Sequence, residues 1–83
     1  MINLQLLGES LCGRHINATL NSNGVKVCSE FDAEYVYNEP DRLTFGDDIN
    51  TIEIPEKEVE RIEDHKYYYN VVFKNGSFYD LFI

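Results

Sequence analysis

Carboxylates are the most numerous chemically active side chains in this 83-residue chain, which has fifteen Asp and Glu against seven Lys and Arg, two His and two Cys. Glu30, Asp32 and Glu34 recur at every second position. On a strand all three would point to one face, successive groups about 6.6–6.8 Å apart, a spacing that resembles a row of backbone phosphates. If residues 56–63 form a helical turn, Glu56, Glu60 and Glu63 make a second stripe, flanked by Lys57 and Arg61 and turned away from Val59 and Ile62. The two rows would then share one side. Asp47-Asp48 adds a further adjacent pair in a polar stretch. Glycoside chemistry needs two carboxylates set across a cleft, and a domain of this size has little room for one.

Other chemistries lack their parts. No Ser, Cys or Thr sits in a strand-turn-helix elbow beside a base, and no Gly-rich loop is present to cradle a phosphate. Cys12, His15, Cys28 and His65 give only a loose set of three zinc-type ligands with a fourth remote from them. With Asn23-Gly24 as a two-residue turn, Cys28 faces Thr19 and not Cys12, so the register does not favour a disulfide, and two free thiols are expected. No enzymatic activity, metal or cofactor is expected. A thiol- or metal-dependent sensor using Cys12 and Cys28 is a separate reading of the two cysteines.

The charge is segregated. Residues 30–64 hold thirteen acids against Arg42, Lys57 and Arg61, a net −10, more than the −8 of the whole chain. Self-repulsion in such a segment costs stability, and a basic partner would offset it; the field repels nucleic acid and anionic membranes. Tyr35 and Tyr37 share a strand face beside these acids. Tyr67-Tyr68-Tyr69 must place at least one ring outside the core, and Tyr is enriched where interfaces concentrate their energy.

The elements that must position these groups read as strands. The 43% hydrophobic content predicts one folded domain, residues 1–83. Ile16, Ala18 and Leu20, the Asn23-Gly24 turn, then Val25, Val27 and Phe31 make one hairpin. Tyr35–Tyr37 and Leu43–Phe45 flank Pro40 in a second; Tyr67–Phe73 and Phe78–Ile83 flank Asn75-Gly76 in a third. Residues 2–12 fit either a strand or a helix, with the alternation of Ile2, Leu4 and Leu6 favouring a strand. The expected class is mainly β: a small antiparallel barrel or sandwich of six to seven short strands with at most one short helical turn. The N-terminal residues form neither a signal peptide nor a membrane span, so a cytoplasmic location is expected.

Small size, low pI, segregated acids and exposed aromatics resemble the phage or mobile-element inhibitors that mimic nucleic acid, among them many anti-CRISPR proteins and inhibitors of restriction enzymes. The chain is also similar in character to acidic immunity proteins and antitoxins. Ile52-Glu53-Ile54-Pro55 through Val59 and Ile62, with the last hairpin, resembles the closing half of Sm-like or SH3-like barrels. The first resemblance implies a non-catalytic inhibitor of a basic nuclease or CRISPR-type effector, with no direct nucleic-acid binding and no membrane contact. Its contacts would be Glu30, Asp32, Glu34, Tyr35, Tyr37, Asp47, Asp48, Glu56, Glu60 and Glu63. The alternative is a β-barrel assembly or regulatory module that forms a homo-oligomer through an edge strand at Phe78–Ile83.

Overall fold

A computed structural model describes residues 3–83. Asn23 and Gly24 both adopt positive φ, 52° and 78°, the geometry of a two-residue hairpin turn. They join β1 (His15–Ser22) to β2 (Val25–Asp32) with Ser22 opposite Val25, Thr19 opposite Cys28 and His15 opposite Asp32. Pro40-Asp41 turns β3 (Tyr35–Glu39) into β4 (Arg42–Gly46), which pairs in turn with β5 (Thr51–Pro55). Asn75-Gly76 behaves differently. Gly76 has φ 92° and donates its N–H to Phe73, while Phe73 donates to the carbonyl of Ser77, so the loop linking β7 (Tyr68–Phe73) and β8 (Phe78–Phe82) is longer than two residues.

These strands and β6 (Val59–Asp64) form two antiparallel sheets, ordered β2-β1-β8-β7-β6 and β3-β4-β5. They stack as a sandwich and do not close into a barrel. Phe31 of β2 meets Phe45 of β4 across the interior, ring centroids 6.1 Å apart, amid Ile16, Leu43, Ile54 and Leu81.

The mainly β class holds, with eight strands among the described residues, and several expectations within it are corrected. The N-terminal segment is a helix, α1 (Leu4–Leu11), not a strand; Ile2 of the expected strand lies outside the described residues. Asn3 caps α1, accepting from Leu6 N–H at 2.9 Å, and Leu7 and Leu11 are buried. The helix lies so close to β3 and β4 that a Cβ on Gly8 would come within 2.8 Å of Asn38 and Leu43 side chains. Pro55 ends β5, but only Glu56–Glu58 form a 3-10 turn. Residues 59–64 are strand, because Ile62 is buried opposite Val71 and a register shift between Val59 and Arg61 absorbs the odd apolar spacing that read as helical. Strand β8 lies at the centre of its sheet, so Phe78–Ile83 is not an edge available for pairing; β2 and β6 are the edges.

Candidate functional site

Alternation along the strands gives the five-stranded sheet two different faces. Ile16, Ala18, Phe31, Val71 and Leu81 face the core. The opposite face carries Cys28, Glu30 and Asp32 of β2, His15, Asn17 and Thr19 of β1, Asp80 and Phe82 of β8, Tyr68 and Asn70 of β7, and Arg61 and Glu63 of β6.

At one edge of this outer face, the hairpin register brings His15 between two carboxylates. Its Nε2 lies 2.7 Å from Glu30 Oε2 and its Nδ1 lies 2.7 Å from Asp32 Oδ1. Both ring nitrogens donate only when the imidazole is protonated, so this geometry favours the cationic form. The hydrogen bonds from Glu30 and then Asp32 raise the His15 pKa above its ordinary 6.5. From Glu30 the register runs across the sheet through Asn17 and Phe82 to Tyr68. Tyr68 stacks between Phe82 at 4.8 Å and His65 at 4.6 Å, centroid to centroid. The far end is acidic again: Glu63 accepts from Arg61 Nε at 2.6 Å and lies 3.1 Å from His65 Nε2. These contacts hold the Glu63 carboxyl below its ordinary pKa, Arg61 first and His65 second.

The ten residues expected to meet a partner fall in separate places. Glu30 and Asp32 share a face, as expected. Glu34 does not continue their row: β2 ends at Asp32, Ala33 is buried, and the Glu34 N–H turns to the carbonyls of Asp32 and Gly46. Tyr35 and Tyr37 do share a face, on the other sheet, with rings 5.2 Å apart and the Tyr35 hydroxyl 2.6 Å from Thr51 Oγ1. Asp47 and Asp48 sit in the β4–β5 loop. Asp47 Oδ1 accepts from the backbone of Asn50 and Ile49, which lowers its pKa and makes it a loop brace. Glu56, Glu60 and Glu63 make no helical stripe; they lie on the 3-10 turn, at the register shift and on the outer face of β6. Because β2 and β6 bound the same sheet, four strand spacings, about 19 Å, separate the two acid groups.

The acids also have more cationic neighbours than the sequence suggested. Arg42 reaches Asp41 at 3.0 Å and Glu39 and Glu53 at 3.6 Å, and Arg61 adds Glu60 at 2.8 Å to Glu63. His15, His65, Tyr68 and Phe82 are the outer-face residues missed from sequence. The signal for His15 was present, since the register that sets Cys28 opposite Thr19 also sets Asp32 opposite His15.

Both cysteines are free and exposed, with Cys28 Sγ 3.7 Å from Thr19 Oγ1. Among the described residues no group of three His, Cys, Asp or Glu side chains is placed to hold a metal, and no helix is long and apolar enough to cross a membrane. Comparison with protein-family models, curated proteins and solved structures finds no match to this chain.

Proposed function

We propose that the protein is a non-catalytic inhibitor that docks the outer face of its five-stranded sheet on the basic nucleic-acid-binding surface of a nuclease or effector. The observation that carries this reading is the pair Glu30 and Asp32, fixed on one face and holding the planar His15 ring at 2.7 Å on each side. A guanidinium of the partner is also planar and forks its N–H donors toward carboxylates, so it suits the same pair. Phe82 beside it, 44% exposed and backed by Tyr68, offers a ring face over which Arg or Lys binds favourably. Glu63 supplies a carboxylate at the opposite end of the ring row. The contact is thus a compact acid-and-aromatic face, narrower than a continuous phosphate-like row. Asp48 and Glu56 steer approach from outside it.

The test is capture from nuclease-treated host lysate on the immobilised protein, eluted along a salt gradient. A basic nucleic-acid-handling protein released by moderate salt, and displaced by added DNA or RNA, is the expected partner. Glu30→Lys with Asp32→Lys should weaken that binding by about a hundredfold or more, since it replaces attraction with repulsion where the contact holds its paired carboxylates. Unchanged binding by the double variant would sink the proposal.

A further inference from the structure

Strand β2 is an edge whose backbone groups point in two directions. A two-residue turn makes Ser22 and Val25 the hydrogen-bonded closing pair, so Val25, Val27, Ser29 and Phe31 direct their N–H and C=O groups to β1. The strand's end agrees with this parity: Ala33 exchanges hydrogen bonds with Gly13 and Arg14 on the β1 side, at 3.1 and 2.8 Å, and the next N–H, on Glu34, turns the other way to Gly46 at 2.9 Å. Lys26, Cys28 and Glu30 therefore present their backbone groups outward, with no strand beside them. Natural edges are commonly blunted by Pro, bulges or charged side chains. Strand β2 has no Pro and an uninterrupted register with β1; its charged side chains, Lys26, Glu30 and Asp32, all lie on the outer face, and Lys26 makes no ion pair among the described residues. Val25 and Val27, which share the core-side face with Phe31, remain 62% and 56% exposed.

We infer that two copies of this chain associate edge to edge through β2, antiparallel about a two-fold axis at Cys28. In this register Lys26 of each copy lies opposite Glu30 of the other, giving two equivalent ion pairs on the outer face. Glu30 has Oε1 free for this contact, because His15 engages Oε2. Val25 falls opposite Phe31 of the second copy and Val27 opposite its Ser29, so the exposed valines gain cover. Neighbouring registers are poorer. Axes at Lys26 or at Glu30 set like charges face to face, and one at Val27 leaves Lys26 opposite Cys28. An axis at Ser29 pairs Lys26 with Asp32, the strand's last residue, where the chain turns away toward Gly46. The axis at Cys28 also brings the two Cys28 Cα atoms to about 5.5 Å, within disulfide range, whereas the Ser29 axis separates them by about 7–8 Å.

Sedimentation velocity over a concentration series tests the contact. The native chain should show a concentration-dependent dimer. Lys26→Glu should weaken it about tenfold or more, Glu30→Lys likewise, and the two together should restore it. In a Cys12→Ser background, oxidation with diamide should join the dimer through Cys28. A monomer at every concentration, a dimer indifferent to Lys26→Glu, a double variant that stays monomeric, or a dimer whose Cys28 thiols do not cross-link would each overturn the inference. Lys26→Glu leaves Glu30 and Asp32 in place, so its effect on self-association is separable from loss of the basic partner.

Discussion

The two faces of the five-stranded sheet are built from alternate residues of the same strands, yet they are held by different forces. On the inner face Ile16, Val71 and Leu81 are fully buried against the second sheet and stabilise the fold by leaving water. On the outer face the order comes from charge and ring geometry: His15 between two carboxylates, and Tyr68 between Phe82 and His65. The inner face tolerates little change, whereas the outer face can vary with limited cost to the fold.

The sharpest way to break this distinction uses neighbours in sequence. Leu81 and Phe82 are consecutive residues of β8 on opposite faces, the first fully buried and the second 44% exposed. Leu81→Ala should cost about 2–5 kcal/mol through lost burial and the cavity it leaves. Phe82→Ala should cost about 1 kcal/mol or less while weakening the capture of a basic partner. Urea unfolding of both variants measures the difference. Equal losses would mean that the outer ring row is a second core, and the functional assignment of that face would fail.

A smaller effect separates the faces by pH. The folded-state pKa of His15 lies above its ordinary 6.5, first because of Glu30 and second because of Asp32. The clamp's contribution is therefore fully present below about 6.5, while the carboxylates remain ionised, and is lost as pH rises through the folded pKa. Thermal melts should show stability falling across that window. His15→Gln should remove this component of the pH dependence, whereas Leu81→Ala should lower the whole curve and keep its shape. NMR titration of His15 ring protons should give a midpoint above 6.5; a midpoint at or below it would mean that the clamp does not form in solution.

Much of this architecture was legible because hairpins encode themselves locally. Asn23-Gly24 fixes the first register, and Pro40 marks the turn of the second. The failures came where two periods overlapped. Leu4, Leu7 and Leu11 fit a helix and Leu4 and Leu6 a strand, and the choice was made by packing of Leu7 and Leu11 against β3 and β4, which no local window contains. Val59 and Ile62 read as helical because a register shift mimics helical spacing. The candidate site was half legible. Alternation put Glu30 and Asp32 on one face, but the sheet order that sends β2 and β6 to opposite edges depends on contacts distant in sequence. The acidic total also hid its local neutralisation, since Arg42 and Arg61 each collect several carboxylates.

The same division between holding and meeting recurs at its smallest scale in Asp47 and Asp48, two like residues in one loop. Asp47 braces the turn: Oδ1 accepts from the amides of Asn50 and Ile49 at 2.7 and 2.8 Å, and the Asp47 N–H closes on the Asn50 carbonyl at 2.8 Å. Asp48 makes no side-chain hydrogen bond or ion pair among the described residues, so its charge is left to the solvent field. Those backbone donors, Asn50 first, lower the Asp47 pKa below its ordinary 3.8. Its contribution is present above that value and is lost as pH falls through the depressed one. Asp47→Ala should speed amide exchange at Ile49 and Asn50, Asp47→Asn should recover most of the protection by keeping an acceptor, and Asp48→Ala should leave exchange unchanged. Because the loop is exposed, global stability should shift little in all three. Should Asp48→Ala loosen the loop as much as Asp47→Ala, the loop's order would rest on total charge and not on a placed acceptor, and the separation drawn between the two faces of the five-stranded sheet would not extend to this loop of the smaller one.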